Sequence, residues 1–163
     1  MKMMILAACL AGLAYAQSSV PRYKQFPAEL YTGKMATPKP ATKAAKEVKT
    51  QIEDGMTARP NFAGRYVITT WSCGTSCLQF AIVNAETGAV YLPPFYVASG
   101  MNVGQEKLRD ELPLQFKPDS RLLVVVGSRN ENGEGVYFYK WDNEKLTLIR
   151  STMERKQKEA RTP

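Results

Sequence analysis

The sequence predicts a mainly β (α+β) protein: a single antiparallel sheet or small sandwich of about six strands with an N-terminal helix. Three observations support this fold class. Short runs of β-branched and aromatic residues recur from residue 61 onward, and turn-forming residues separate them. A continuous apolar run over residues 122–126 is typical of a strand buried on both faces. Residues 61–150 are therefore expected to form one β domain with a modest core.

The first residues have the organisation of a secretory signal peptide. Lys2 supplies the basic start, residues 3–13 form an apolar run, and Ala14-Tyr15-Ala16 places small residues at the expected cleavage site. The apolar run is too short for a transmembrane helix, which takes about 20 residues. We therefore expect residues 1–16 to be removed. The mature protein, beginning at Gln17, is expected in the periplasm or outside the cell, without a transmembrane span.

A second interpretation of the leader is a lipid anchor, because Leu6-Ala7-Ala8-Cys9 resembles the lipobox of bacterial lipoproteins. A lipobox normally closes the apolar region, whereas residues 10–14 continue it beyond Cys9. We therefore expect no anchor at Cys9. The tethered alternative predicts palmitate labelling that Cys9→Ser abolishes.

Residues 17–60 are expected to form a Pro- and Lys-rich lead-in that contains one helix. Four prolines before residue 41 predict an extended, mobile segment. Good helix formers over 41–54 then predict a helix that Gly55 ends. Its apolar residues recur at every fourth position, at Ala44, Val48 and Ile52.

The β domain is read strand by strand from its runs and turns. Pro93-Pro94 stops the third strand, and residues 98–113 are expected to be a loop with a possible helical turn at 105–112. Residues 151–163 are expected to be a charged tail or frayed helix. The predicted strands are 65–71, 78–83, 89–92, 121–127, 136–141 and 145–150.

Loss of the signal peptide leaves two cysteines, Cys73 and Cys77, which should pair in an oxidising compartment. The residues between them, Gly74, Thr75 and Ser76, are small and turn-compatible, so they allow the short Cα separation that a disulfide needs. Predicted strands lie on both sides. The bridge is therefore expected at the tip of a hairpin, where it shapes a loop.

The absence of histidine excludes several kinds of catalytic and metal site. Ser-His-Asp and Cys-His nucleophile arrangements, His-ligated metals and haem attachment all need that residue. The sequence also has no phosphate-binding loop and no Gly-x-Ser-x-Gly elbow. Asp110 and Glu111 are weak candidates for the carboxylate pair of a glycosidase, because adjacent side chains on a helix do not face each other. We therefore expect no enzyme activity, no catalytic residues, no cofactor and no metal.

The basic charge is concentrated outside the β domain. The formal net charge is +7, and its excess lies in residues 17–60 and 151–163, whereas residues 61–150 are balanced. A nucleic-acid-binding domain would carry that charge on its folded surface. We therefore expect no nucleic-acid partner.

The segment from Trp71 to Cys77 is the most distinctive in the chain. It looks like a thioredoxin active site, but its spacing is Cys-x-x-x-Cys and no helix is predicted after Cys73. Thioredoxin chemistry depends on a thiolate at a helix N-terminus. We therefore interpret Cys73 and Cys77 as a structural pair. The candidate binding loop is Trp71, Gly74, Thr75 and Ser76.

Four segments between residues 61 and 149 resemble a group of small, uncharacterised exported bacterial proteins. The resemblance implies an envelope location and a shared β domain, and it brings no catalytic or ligand-binding residues. The segments are Asn61-Phe62-Ala63-Gly64-Arg65-Tyr66, Trp71-x-Cys73-Gly74-x-x-Cys77, residues 119–125 and Tyr139-x-Trp141.

These observations lead to three hypotheses of function. The first is an exported, non-catalytic module that presents the disulfide-closed hairpin to a protein or cell-wall partner, in the manner of inhibitors or immunity proteins. The alternative is an envelope thiol-disulfide or metal-handling protein that uses Cys73 and Cys77. The third is a structural envelope protein whose basic flanks contact anionic polymers.

Overall fold

The protein, described here by a computed structural model for residues 19–98 and 112–153, is mainly β. Within these ranges eight strands form one antiparallel sheet, preceded by a 3₁₀ turn at Tyr23–Gln25 and two short α-helices. The predicted fold class is confirmed at this level, with a single sheet instead of a sandwich. The strands are β1 (Tyr66–Gly74), β2 (Cys77–Asn84), β3 (Val90–Tyr91), β4 (Val97–Ala98), β5 (Leu114–Gln115), β6 (Leu122–Arg129), β7 (Asn132–Asp142) and β8 (Lys145–Met153).

Among the described residues the sheet has eight strands instead of the six predicted, and the two additional strands are β4 and β5. Each has only two residues, which is too short for the alternation that marks a strand in sequence. β4 nevertheless pairs with both β2 and β6, and so joins the first hairpin to the later strands. The order is β1-β2-β4-β6-β7-β8, with β3 beside β2 and β5 beside β6.

The sheet curls around its core. Three strands separate β1 from β7 in the sheet order, yet the ring of Tyr66 at the start of β1 contacts Trp141 on β7 at a centroid distance of 5.1 Å. Just before β1 and β6, the Ala63 amide donates a hydrogen bond of 3.1 Å to the Ser120 carbonyl. The concave face encloses one large apolar cluster, which includes Phe62, Ile68, Phe80, Ile82, Leu123, Val125, Tyr137, Tyr139 and Trp141.

The convex face is covered by residues from before β1. Tyr23 and Phe26 pack against the outer side of β6 and β7, and Ile52 packs against the outer side of β2. β6 is therefore covered on both faces, and its residues Leu122–Ser128 are all buried. The prediction of a central, doubly buried strand is confirmed.

The predicted helix over 41–54 is wrong as a single element. The structure has α1 (Lys43–Glu47) and α2 (Lys49–Asp54), interrupted at Val48, whose φ of −111° and ψ of 23° are not helical. Ala45 and Ile52 are buried, whereas Ala44 is exposed. The break at Val48 therefore goes with a change of the buried position in the first helix from the predicted Ala44 to Ala45. Gly55 ends α2, as predicted.

The lead-in is extended and hydrogen-bonded to the domain. The Ala28 amide donates to the Asp119 carbonyl at 2.9 Å, and the Lys39 amide donates to the Gly88 carbonyl at 2.7 Å. Pro27 forms an isolated bridge with Ser120. These bonds hold the lead-in along the β domain.

Several expectations fall wholly or partly outside the described residues. They are the signal peptide at 1–16, the helical turn at 105–112 except for its last residue, and the tail beyond Met153. Residues 151–153 belong to β8, so the expectation of a charged tail or frayed helix from Ser151 is wrong for these three residues. No helix in the described ranges is long and apolar enough to cross a membrane.

Both later hairpins close through two-residue turns in which both φ values are positive, as in a type I′ turn. Asn130 and Glu131 link β6 to β7, and Asn143 and Glu144 link β7 to β8. The predicted strands 121–127 and 136–141 leave a longer loop between them, but in the structure β6 and β7 continue up to the turn. Glutamate lacks glycine's freedom at positive φ, so the second residue of each turn is under strain.

We expect Glu144→Gly to raise the free energy of unfolding by about 1 kcal/mol, because glycine adopts the φ of 55° found at this position without strain. Urea denaturation measures the gain. Glu144→Ala is the matched control, since it removes the same side chain and keeps the strain. An equal gain in both variants would contradict a backbone origin.

Candidate functional site

The β1–β2 hairpin ends in a disulfide-closed tip, formed by residues 73–77. Cys73 lies in the register irregularity between Ser72 and Gly74 at the end of β1, and Cys77 begins β2, with a Cα–Cα distance of 5.1 Å across the bridge. Residues 73–76 are all exposed, and Cys77 is partly exposed. The predicted disulfide and its place at a hairpin tip are confirmed.

The backbone of the tip is shaped by local bonds and by one glycine. The Ser72 hydroxyl accepts from the Gly74 amide at 3.3 Å and donates to the Gly74 carbonyl at 3.1 Å. Gly74 has a φ of +138°, a conformation that other residues rarely adopt. Ser76 follows with a φ of 56°. The tip therefore combines a covalent closure with a defined turn, and it leaves the Thr75 and Ser76 side chains at the surface.

Trp71 does not belong to the tip itself. Its ring packs with the outer cluster under α2, and its indole N–H donates a hydrogen bond of 2.8 Å to the Gln79 side chain across the hairpin. The structure therefore brings Gly74, Thr75 and Ser76 together and places Trp71 below them on the hairpin face. At that position Trp71 lines a groove.

This groove runs between α1, the β1–β2 hairpin and the segment 92–96, with a volume of about 350 Å³. Most of its lining is aromatic, aliphatic or proline. The lining residues are Ala44, Glu47, Val48, Trp71, Gln79, Phe80, Leu92, Pro93, Pro94, Phe95, Tyr96 and Asn130.

Segment 92–96 forms one wall of the groove, and its two aromatic residues, Phe95 and Tyr96, are both held by contacts with other parts of the domain. The Phe95 ring stacks on Tyr139 at 5.5 Å, and it contacts Phe80 edge-on at 5.8 Å. Tyr96 exchanges two bonds with Asn130: the Tyr96 amide donates to the Asn130 side chain at 3.0 Å, and the Asn130 amide donates to the Tyr96 carbonyl at 3.1 Å. The groove therefore has a fixed wall.

A second cleft lies near the start of β1, and its charged lining residues Arg65, Arg121 and Asp142 form ion pairs. Arg65 pairs with Glu86 at 2.8 Å, and Asp142 pairs with Lys140 at 2.8 Å and with Arg121 at 3.3 Å. The hydrogen bond from Lys140 is the main reason that the pKa of Asp142 is lowered. Because these charges satisfy one another, the cleft is a weaker candidate than the groove.

Most of the groove was not predicted from the sequence. One wall comes from the run Pro93-Pro94-Phe95-Tyr96, in which only a strand stop was expected. The signal in this run is its composition, because proline fixes φ and aromatic side chains carry large apolar areas. Asp110 and Glu111 lie outside the described residues. Within the described ranges, no group of three or more His, Cys, Asp or Glu side chains is placed to hold a metal ion.

No family model, curated protein or solved structure matches this chain. The resemblance to small exported bacterial proteins therefore stays an expectation from the sequence motifs. The tip and the groove are the features of the structure that bear on function.

Proposed function

We propose that the protein is an exported, non-catalytic binding module, and that its contact surface is the disulfide-closed tip together with the adjacent groove. We call this the tip–groove surface. The observation that carries the proposal is the exposed five-residue loop closed by the Cys73–Cys77 bridge. The proposed partner is a protein or cell-wall component of the bacterial envelope.

Preorganisation is the physical basis of the proposal. Ordering a flexible loop during binding opposes association, and a loop that is already closed avoids part of that loss. Residues 73–76 are exposed, so they are available for contact. Thr75 and Ser76 would supply hydroxyl groups to such a contact.

The groove would add apolar contact area next to the tip. Cys77 and Gln79 are two positions apart on β2, so they project to the same side of the strand. Gln79 lines the groove, and the tip and the groove are therefore neighbours. Trp71, Phe95 and Tyr96 belong to the residue types that dominate binding interfaces. The groove volume of about 350 Å³ falls within the range of binding pockets.

Thiol-disulfide exchange is the weaker alternative. A reactive cysteine of that kind sits at a helix N-terminus, where the helix stabilises the thiolate. Cys73 and Cys77 both belong to strands of one hairpin. The surroundings of the bridge therefore support a structural role.

The test is affinity capture from bacterial envelope extracts with residues 17–163 as bait. We expect the double variant Cys73→Ser/Cys77→Ser to bind a captured partner about tenfold more weakly, because the open loop must be ordered on binding. Surface plasmon resonance measures the change. The same variant should lose about 2 kcal/mol of stability, so circular dichroism must first confirm that it is folded.

Two further variants separate the tip from the groove. Thr75→Lys adds bulk and charge at the tip without touching the bridge, and Trp71→Leu removes the ring from the groove. Both should weaken binding, whereas Thr147→Ala, an exposed change on β8, should not. Unchanged affinity in Thr75→Lys and in the double cysteine variant would rule out the tip as the contact.

A further inference from the structure

A small cavity opens at the mouth of the curled sheet, between β1, β2, β3 and the β7–β8 turn. Three rings line it, those of Tyr66, Tyr91 and Trp141, together with the exposed Glu144, and its volume is about 100 Å³. It shares no lining residue with the groove, so the inference does not depend on the proposed function. The other lining residues are apolar: Ile82, Ala89 and Val90.

The three rings form a fixed cluster. Tyr66 and Tyr91 each pack edge-to-face against Trp141, with centroid distances of 5.1 and 5.2 Å. Burial raises the pKa of both Tyr66 and Tyr91, so both phenols stay neutral at physiological pH. A cavity bounded by such rings is attractive to cations.

The charges around the cavity have the matching sign. Among the described residues that line it, Glu144 is the one with a formal charge. Arg65, the cation that acts on Tyr66, is itself paired with Glu86 at 2.8 Å. A cation that enters the mouth would therefore meet the partly exposed rings of Tyr66 and Tyr91, with the buried Trp141 ring behind them, and the exposed carboxylate of Glu144, whose charge Arg65 does not neutralise.

Two properties of the cavity narrow the class of ligand: its small volume and the few hydrogen-bond acceptors among its lining side chains. An engineered protein cavity of about 150 Å³ holds benzene, so about 100 Å³ accommodates a somewhat smaller group. A primary ammonium needs several acceptors, whereas a quaternary ammonium donates no hydrogen bonds and is held by aromatic faces. We infer that Tyr66, Tyr91, Trp141 and Glu144 form an aromatic cage that binds the trimethylammonium group of a small molecule or lipid headgroup.

The first test is isothermal titration calorimetry of the folded mature protein with choline. We expect a dissociation constant on the order of 1 mM, the strength that a few exposed cation–π contacts provide. The comparison ligand is 3,3-dimethyl-1-butanol, which has the shape of choline but no charge. It should bind about tenfold more weakly. Equal affinity for the two ligands, or no saturable binding of choline up to about 10 mM, would overturn the inference.

Variants connect binding to the cage. Tyr91→Leu removes one ring and should weaken choline binding about fivefold, whereas Tyr91→Phe keeps the ring and should retain most of the affinity. Glu144→Gln changes an exposed position and should weaken choline binding a few fold. High salt should remove most of this difference between the variant and the unchanged protein, because salt screens the exposed charge. If Tyr91→Leu is unfolded by circular dichroism, Glu144→Gln still decides. Unchanged choline affinity in Glu144→Gln would contradict the cage.

The source of the group is distinguished by a vesicle assay. Binding to phosphatidylcholine vesicles, but not to phosphatidylglycerol vesicles, would identify a lipid headgroup, and binding of free choline alone would identify a soluble ligand. Both outcomes support the cage. Tighter binding to phosphatidylglycerol would show that the basic flanks, not the cage, make the contact, and would overturn the lipid form of the inference.

Discussion

Gly127→Ala is expected to lower the free energy of unfolding by about 4 kcal/mol. Gly127 lies in β6 with a φ of +126°, and a Cβ atom at this position would come within 2.4 Å of the Ala98 carbonyl oxygen. The adjacent residue Ser128 pairs with Ala98, so the close approach occurs where β4 joins β6. Alanine would both strain the backbone and separate the two strands that connect the halves of the sheet.

Gly74→Ala is the matched control for this prediction. Gly74 has a similar φ of +138°, but nothing lies within 4 Å of the position of its Cβ. This variant should therefore show the backbone strain alone, about 1–2 kcal/mol. Urea denaturation of both variants measures the difference. Equal losses would mean that the contact with Ala98 relaxes at no cost, and that the sheet is not held together at this point.

Asn61→Ala is expected to lower the free energy of unfolding by about 3 kcal/mol, the cost of leaving two buried backbone groups without partners. The Asn61 side chain accepts a hydrogen bond from the Ile68 amide at 2.8 Å and donates one to the Ile68 carbonyl at 3.1 Å. Ile68 is only 3% exposed, so water does not replace these bonds. The Asn61 side chain thus pairs with the backbone of β1 in the way that a neighbouring strand would.

Two further variants test this explanation of Asn61. Asn61→Asp keeps the acceptor for the Ile68 amide and loses the donor, so its loss should be intermediate. Asn132→Ala removes an exposed asparagine with one bond of 3.0 Å to the Asn130 carbonyl, and it should lose less than about 1 kcal/mol. If Asn61→Ala proves as mild as Asn132→Ala, the side chain is not needed to complete the edge of β1.

The role of Asn61 changes how the first sequence motif is interpreted. Within residues 61–66, Phe62 is fully buried, and Gly64 has a φ of +80°, with the Glu29 carbonyl oxygen 2.0 Å from the position of a Cβ. The motif therefore builds the turn that starts the sheet and receives the lead-in. The segment from Trp71 to Cys77, in contrast, ends in exposed residues. Of these two motifs, the second is the candidate for contact with a partner.

Most of the long strands followed from local pattern. Residues 66–71 of β1 and the run in β6 contain β-branched and aromatic residues that fit a strand and poorly fit other conformations. The hairpin tip followed from two cysteines that are close in sequence and separated by turn residues. These features depend on neighbours in the chain, and a single sequence contains that information.

The shorter elements followed from packing instead. β4 exists because Val97 and Ala98 pair with both β2 and β6. A two-residue segment is too short to carry a sequence pattern that predicts this pairing. The break at Val48 likewise has no mark in the local sequence, where good helix formers continue over 41–54. The groove was missed for the same reason, since its walls come from segments more than 40 residues apart in the sequence, α1 and 92–96.

The sequence by itself determined the fold class, the disulfide and its hairpin, because each depends on residue type and short spacing. The tertiary structure alone decided how the sheet closes. Curling brings Tyr66 and Tyr91 against Trp141, 50 or more residues later, and so creates the cavity at the mouth. It also places the groove beside the tip. Cavities form between segments that are distant in sequence, so the residues that line a cavity are decided by the packing of the whole chain.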